Sequence, residues 1–243
     1  MELAPGAVFL GADLSDLDFT DADLTDAVFD DCTLTEVQVS GAVLDGARFR
    51  RCRLIRCRFA RADLRDARFE DCTLSEDQQG CQFAFGRLEE ARFLRCDLSF
   101  AKFDRVGLYG AVFETCNLRG ASFLKADFGR SFGRSVVRSA GSFAGSRLEL
   151  ADLAELRLPG GDFTGCSFRE ADLREADLEG ADLRGTDLFQ ALTAGAKLAR
   201  ADLRGAEVSG LDLSKLGSVE GLKVTFEQQY RLLTALGLDV CAD

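Results

Sequence analysis

The segment from Ala171 to Leu188 reads ADLREADLEGADLRGTDL, which is one five-residue phrase repeated without a break. Each phrase has a small residue, usually a polar residue, a central Leu or Phe, and two polar or glycine positions. The same phrase continues in both directions along most of the 243 residues. A fixed period of this kind indicates a repeat architecture, so the period decides the fold before any single residue is interpreted.

A period of five fits neither a single helix nor a single strand. On an α-helix, successive central residues would advance by about 500°, so no face would stay apolar. On one long strand they would alternate between the two faces. The chain must therefore turn about once per repeat. Short extended pieces joined by tight bends predict one elongated solenoid domain that keeps every central residue inside.

The type of the central residue recurs every twenty residues in the N-terminal part. Phe9 begins one such series and Leu14 the next, and each keeps its residue type through three further steps. Four five-residue sides per turn would stack like residues on like along the axis. A ten-residue period also fits the alternation of Phe and Leu, but two sides of five residues cannot enclose a packed core. We therefore expect an all-β fold, a quadrilateral β-helix.

The position two residues before each centre holds small side chains, which predicts that it also points inward. Most of the cysteines occupy this position, at spacings that match the repeat and not a C-x-x-C ligand pair. We therefore expect these thiols to pack in the core, with metal binding or disulfides as the alternative. They are Cys32, Cys52, Cys57, Cys72, Cys81, Cys96, Cys116 and Cys166.

The formal net charge of −11 belongs to the N-terminal coils. Residues 1–46 contain eleven acidic residues and no Lys or Arg, so the rest of the chain is balanced. This acidic part is interpreted either as a solvated surface or as a patch that steers the protein to a basic partner. Arg48, Arg53 and Arg58 follow in consecutive repeats, so they should encircle the rod. Because nucleic acid would require a groove or stripe, we expect no direct nucleic-acid binding.

Two interruptions of the repeat predict surface loops. Residues 75–80 fit no repeat and are polar, and residues 129–142 combine basic and apolar residues with no acid. The second segment could instead be a degenerate coil that forces Val136 and Arg138 into the solenoid. Loops on a rigid scaffold concentrate recognition residues. The candidate partner-binding residues are therefore Glu76, Asp77, Gln78, Gln79, Arg130, Phe132, Arg134, Val136, Val137 and Arg138.

We assign the solenoid to residues 1–216. Residues 217–243 no longer follow the five-residue repeat and form a separate C-terminal segment. Thr225 to Gln228 reads as a helix capping box, and Gly237 should end the short α-helix. Residues 238–242 could add a short strand. Capping of the solenoid explains part of this tail. Its apolar residues exceed what a cap needs, so we expect a homodimer through Phe226, Tyr230, Leu232, Leu233, Leu236 and Leu238.

The sequence predicts a binding protein and not an enzyme. Without histidine there is no Ser/His/Asp or Cys/His arrangement and no H-E-x-x-H metal site, and the phosphate-binding glycine fingerprints are also absent. Carboxylate pairs recur every five residues, but a narrow filled coil offers no pocket for them. We therefore expect no cofactor and no metal. With no signal-like N-terminal segment and no run of about 18 apolar residues, we expect a cytoplasmic protein without membrane contact.

The repeated ADLxx phrase resembles that of the pentapeptide-repeat proteins, whose fold is a right-handed quadrilateral β-helix. The resemblance is more specific to the quinolone-resistance subgroup, the Qnr proteins, which also carry a short and then a longer loop and a dimerising C-terminal helix. The matching segments are GCQF at 80–83, ARFLRCDLSFAKF at 91–103, GASF at 120–123 and YRLLTALGL at 230–238.

This resemblance implies that the protein binds DNA gyrase or topoisomerase IV and protects it from fluoroquinolones. Surface loops and mimicry of DNA would carry that activity. Two alternatives stay open from the sequence: a self-immunity factor against a gyrase-targeting natural product, and a pentapeptide-repeat scaffold that binds an unrelated protein.

Overall fold

The computed structural model describes residues 2–132 and 136–241, with Val136 and Val137 by their backbone alone. The chain forms a four-sided β-solenoid closed by one α-helix, which confirms the predicted fold class. The helices are a 3-10 turn at Leu213–Lys215 and α1 at Phe226–Ala235. The strands are β1 Val8–Leu10, β2 Val28–Asp30, β3 Thr33–Thr35, β4 Arg48–Arg50, β5 Arg53–Ile55, β6 Arg68–Glu70, β7 Ser75–Glu76, β8 Gln79–Gly80, β9 Arg92–Leu94, β10 Ala111–Glu114, β11 Gly129–Phe132, β12 Val136–Ser139 and β13 Gly141–Ser142.

Each coil takes twenty residues, as the sequence predicts. On the side that begins with Phe9, called side 1, a seven-stranded parallel sheet runs β1-β2-β4-β6-β9-β10-β13. Phe29 is in register with both Phe9 and Phe49. Beyond Ser142 the same side continues through single bridges such as Asp162 to Asp182. Sides 2, 3 and 4 follow in chain order and begin with Leu14, Phe19 and Leu24.

The Phe/Leu alternation places the aromatic rings on opposite sides of the core. Phe49 stacks on Phe29 at 4.5 Å and on Phe69 at 4.6 Å between ring centroids, all on side 1. On side 3, Phe83 stacks on Phe103 at 4.9 Å and meets Phe93 of side 1 edge-on at 6.1 Å. Since stacked and edge-to-face rings add to the stability from burial, the interior is a filled column of rings and aliphatic chains.

The small inward position behaves as predicted. Eight cysteines are buried and unpaired, and Cys241 is exposed. Cys52 Sγ donates to the carbonyl oxygen of Phe29 on the preceding coil at 3.3 Å. The thiols therefore fill the space beside the large central residues and bond to backbone carbonyls.

The polar position before each centre satisfies the backbone at the corner. Asp172 Oδ1 accepts from the Arg174 backbone N–H at 3.0 Å, and Asp13 does the same for Ser15 at 3.1 Å. This local bond gives a partner to an amide that points to solvent, and it explains why Asp recurs in the phrase. The corners also need positive φ, which even Arg51 adopts at 53°.

Helix α1 closes the C-terminal end of the solenoid. The predicted capping box is present, because Thr225 accepts from the Gln228 backbone while the Gln228 side chain accepts from the Thr225 backbone. Leu232 is only 4% exposed and belongs to the core cluster. The short strand considered for residues 238–242 is wrong for the described part, because residues 238–241 contain no strand. The Leu238 amide is used by the end of the helix instead, because it donates to the Leu233 carbonyl oxygen at 3.1 Å.

Candidate partner-binding surfaces

The first interruption is a tight β-hairpin, called hairpin 1, in which Ser75 pairs with Gly80 and Glu76 with Gln79. The two turn residues Asp77 and Gln78 have φ of 50° and 61° and are exposed. A two-residue turn with both φ values positive is the type that favours hairpins. The predicted residues Glu76 to Gln79 therefore lie on one compact projection.

Hairpin 1 is fastened to the solenoid at its base. Glu76 pairs with Arg53 at 3.0 Å and with Arg56 at 3.2 Å. A Cβ at Gly80 would lie 2.3 Å from the backbone nitrogen of Ala101, so only glycine permits this close approach. Side 3 and hairpin 1 together enclose an open groove of about 700 Å³, and Gln78 and Gln79 are among its lining residues.

The second interruption is also a hairpin, called hairpin 2, with β11 and β12 antiparallel. This arrangement favours a projecting loop over a degenerate coil. The solenoid resumes at Gly141, which lies inside the range 129–142 assigned to the loop, because Gly141 and Ser142 pair in parallel with Ala111 and Val112. Arg134 lies outside the described residues, and so do the side chains of Val136 and Val137.

Aromatic and basic side chains fix hairpin 2 against side 4. The Phe132 ring meets Tyr109 of the solenoid at 6.0 Å between centroids. Arg130 lies over both rings, at 5.5 Å from Tyr109 and 5.7 Å from Phe132. Arg138, directly opposite Arg130 in the hairpin, lies 5.9 Å from Phe132. Such cation–π contacts give the basic surface of hairpin 2 a defined position. Tyr109 was not among the predicted site residues, since it occupies an ordinary repeat position.

The two hairpins leave the solenoid at opposite corners. Hairpin 1 follows Leu74 of side 2 and precedes Cys81 of side 3, and the Cys81 amide donates to the Leu74 carbonyl at 3.0 Å. Hairpin 2 follows Phe128 of side 4 and precedes Gly141 of side 1, where the Ala140 amide donates to the Phe128 carbonyl at 3.1 Å. The corner between sides 2 and 3 is diagonal to the corner between sides 4 and 1. One flat partner surface therefore cannot lie against both corners.

The residues predicted for a dimer interface divide into two groups. Leu232 is buried against its own solenoid, so it closes the coil, and Leu233 is partly buried. The other four are exposed, by 88% for Phe226 and by 40 to 58% for Tyr230, Leu236 and Leu238. Four exposed apolar side chains on one short helix and its tail form an apolar patch of the kind that marks interaction sites.

The core thiols Cys81 and Cys166 are held in their protonated form. Burial raises the pKa of the Cys81 thiol well above its usual range and that of Cys166 to about 12, which makes both thiols poor nucleophiles. Across residues 2–132 and 136–241, no cluster of three or more Cys, Asp or Glu could hold a metal ion. In the same residues, no helix is both long enough and apolar enough to span a membrane.

Comparisons with known proteins give the family. A model described as a pentapeptide repeat region matches residues 7–78, and one described as pentapeptide repeats matches 96–131, 146–185 and 181–215. No curated protein sequence matches significantly.

Among solved structures, trypsin-treated QnrB1, a plasmid-mediated fluoroquinolone resistance protein, is 22% identical with a TM-score of 0.74. The match covers 98% of this chain and 100% of QnrB1. Full-length QnrB1 is 24% identical with a TM-score of 0.75, covering 85% of this chain and 100% of the other. The chain therefore shares the fold of QnrB1 over nearly its whole length. Together with the matched models, this shared fold assigns the chain to the pentapeptide-repeat family.

Proposed function

We propose that this protein binds DNA gyrase or topoisomerase IV and protects the enzyme from fluoroquinolones. The observation that carries the proposal is the fold match to a fluoroquinolone resistance protein over 98% of this chain, with a TM-score of 0.74. The two hairpins add to it, because they interrupt the repeat in the short-then-long order of the group that the sequence resembles.

The proposed action is binding without chemistry. Hairpin 1 and hairpin 2 contact the topoisomerase from opposite corners of the rod, and their contacts weaken the complex that the drug stabilises. The acidic N-terminal coils, residues 1–46, present eleven acidic residues and no Lys or Arg on this end of the rod. Such a surface takes the place of the DNA backbone on a basic protein surface.

The proposed dimer extends the reach of the rod. About ten coils at about 4.8 Å per rung give about 48 Å for one subunit. Two subunits joined through the exposed residues of α1 would reach about 100 Å, which suits a two-fold symmetric enzyme. The interface would use Phe226, Tyr230, Leu236 and Leu238, which are 40 to 88% exposed in the single subunit.

Supercoiling by purified gyrase in the presence of a fluoroquinolone tests the proposal. We expect the intact protein to restore supercoiling, and we expect removal of residues 75–80 together with 129–140 to abolish the rescue. Circular dichroism checks that the shortened variant keeps the solenoid. Lack of rescue by the intact protein, or full rescue by the variant without both hairpins, would contradict the mechanism.

A matched pair of substitutions tests hairpin 2 more finely. Phe132→Ala removes a ring that lies beneath arginines on the hairpin, and Phe189→Ala removes a ring that lies 4.5 Å beneath Arg169 on a plain coil. We expect only Phe132→Ala to reduce the rescue. A pulldown that recovers another stable partner and no gyrase subunit would favour the scaffold alternative.

A further inference from the structure

Three arginines stand in one row on side 1. Arg68 is in register with Arg48 on one neighbouring strand and with Arg92 on the other. All three side chains are exposed. Since neighbouring strands lie about 4.8 Å apart, the three residues span about 10 Å along the rod. We call Arg48, Arg68 and Arg92 the arginine row.

A comparison of consecutive repeats does not reveal this row. Arg48, Arg53 and Arg58 do lie on successive sides, as predicted. Arg48 and Arg68 are twenty residues apart, but hairpin 1 lengthens the next step to twenty-four residues and hides Arg92 from a simple period. When the extra residues of hairpin 1 are left out of the count, arginine occupies the position before the central Phe on three successive coils of side 1.

The arginine row has no acidic partner within the described part of the chain. The neighbouring arginines differ, since Arg50 and Arg51 both pair with Asp30 at 2.5 Å and Arg95 pairs with Asp71 at 2.6 Å. Like charges that face each other directly on neighbouring strands destabilise a sheet. A sequence that keeps three such charges without an ion pair gives up stability, and an anion supplied from outside would recover it.

Shallow depressions run along the arginine row. Arg48 and Arg68 border one of about 310 Å³, and Arg68 and Arg92 border the next, of about 330 Å³. The row also follows the edge of side 1 from which hairpin 2 leaves farther along the rod. The carboxylates of Asp30, Glu70 and Glu114 also border these depressions, so the cationic part of this surface is short and is limited to the row and its nearest neighbours.

We propose that the arginine row binds a short acidic segment of a partner protein, with one carboxylate seated between neighbouring guanidinium groups. Guanidinium groups pair well with carboxylates because their paired N–H donors match the two oxygens. The length of the row fits a few residues of extended chain. Nucleic acid fits less well, because the acidic coils of residues 1–46 continue the rod beside the row and would repel a long polyanion.

The proposal is separate from topoisomerase protection, and its test contains no topoisomerase. Binding of a fluorescent six-glutamate peptide is measured by anisotropy at about 50 mM NaCl, where screening is weak. We expect the triple variant R48Q/R68Q/R92Q to bind about tenfold more weakly than the native protein. The matched control R174Q/R184Q/R204Q removes three arginines that are already paired with Asp172, Asp182 and Asp202. It should change the affinity by less than about twofold.

A stability measurement separates loss of a site from loss of fold. Because the arginine row repels itself, R48Q/R68Q/R92Q should unfold at a higher temperature than the native protein at low salt, and the difference should shrink as salt screens the charges. Supporting results are weaker peptide binding together with this higher stability. Absence of peptide binding by the native protein, equal weakening in the two triple variants, or tighter row-dependent binding of a short DNA duplex would each overturn the proposal.

Discussion

Gln228 Nε2 on α1 donates a hydrogen bond to the Leu203 carbonyl oxygen at 2.6 Å. The same nitrogen donates to the Ala206 carbonyl oxygen at 2.8 Å, and Gln228 Oε1 accepts from the Thr225 amide at 2.7 Å. One buried side chain therefore satisfies two carbonyls of a terminal coil and also begins the helix that covers it.

Gln228→Ala should loosen the C-terminal cap. It leaves buried carbonyls without partners, which costs about 1 to 3 kcal/mol in the free energy of unfolding. Urea denaturation measures that cost, and hydrogen exchange should show faster exchange in α1. Gln229→Ala, at an exposed neighbouring position, is the control and should change little. Equal stability of the two variants would show that the bonds of Gln228 do not hold the cap.

The exposed side of α1 should control the proposed dimer. Phe226→Asp together with Tyr230→Asp should give monomers, because both side chains lie outside the subunit core, at 88% and 58% exposure. Light scattering measures the mass, and denaturation should show little loss of subunit stability. Glu227→Gln, an exposed change on the same helix, should leave the mass unchanged. A native protein that is monomeric at micromolar concentration would contradict the interface.

Removal of one ring from the aromatic column should be costly. Phe69 is fully buried and stacks on Phe49 at 4.6 Å and on Phe93 at 4.7 Å. Phe69→Ala should lower the free energy of unfolding by about 3 to 5 kcal/mol, since it removes both burial and stacking and leaves a cavity. Phe85→Ala, at a ring that is 57% exposed, serves as the control. Similar losses at both positions would argue against a rigid column.

Acid should weaken the C-terminal coils through two carboxylates. Hydrogen bonds from Arg204 lower the pKa of Asp202 to about 2, and those from Ser209 and Arg231 lower that of Glu207 to about 2. Because the folded pKa values lie below the ordinary 3.8 and 4.5, the stabilisation is complete above about pH 4.5 and is lost as pH falls toward 2.

Thermal unfolding between pH 6 and pH 2 measures this dependence. Asp202→Asn with Glu207→Gln should lower the melting temperature at about pH 6 and flatten its fall toward about pH 2. The control Asp66→Asn removes one exposed carboxylate that makes no hydrogen bond within the described residues. If the double variant keeps the native slope, other carboxylates carry the acid sensitivity.

Much of the fold could be predicted from local pattern. The period of five required a turn in every repeat, and the twenty-residue recurrence gave four sides, which the in-register pairs of Phe29 with Phe9 and Phe49 confirm. The small position predicted the buried cysteines, and the Thr225 capping box predicted the start of α1. These features either repeat along the chain or involve only a few consecutive residues, so they can be recognised from the local sequence alone.

The candidate surfaces depended on contacts that no period encodes. The sequence placed both interruptions, but only the tertiary structure made them hairpins at opposite corners and placed Phe132 against Tyr109 at 6.0 Å. It also separated Leu232, which faces its own core, from Phe226, which faces outward. Two apolar residues of one helix differ in burial in this way only after the helix has packed against the solenoid.

The sequence by itself therefore determined a four-sided coil, because burying one large residue in every five leaves the backbone few other paths. Only the tertiary structure decided which charges meet. Coiling brings Arg48, Arg68 and Arg92 from positions twenty and twenty-four residues apart into one unpaired row, while Arg50 turns to Asp30. Charges interact through space, and winding the chain sets those distances.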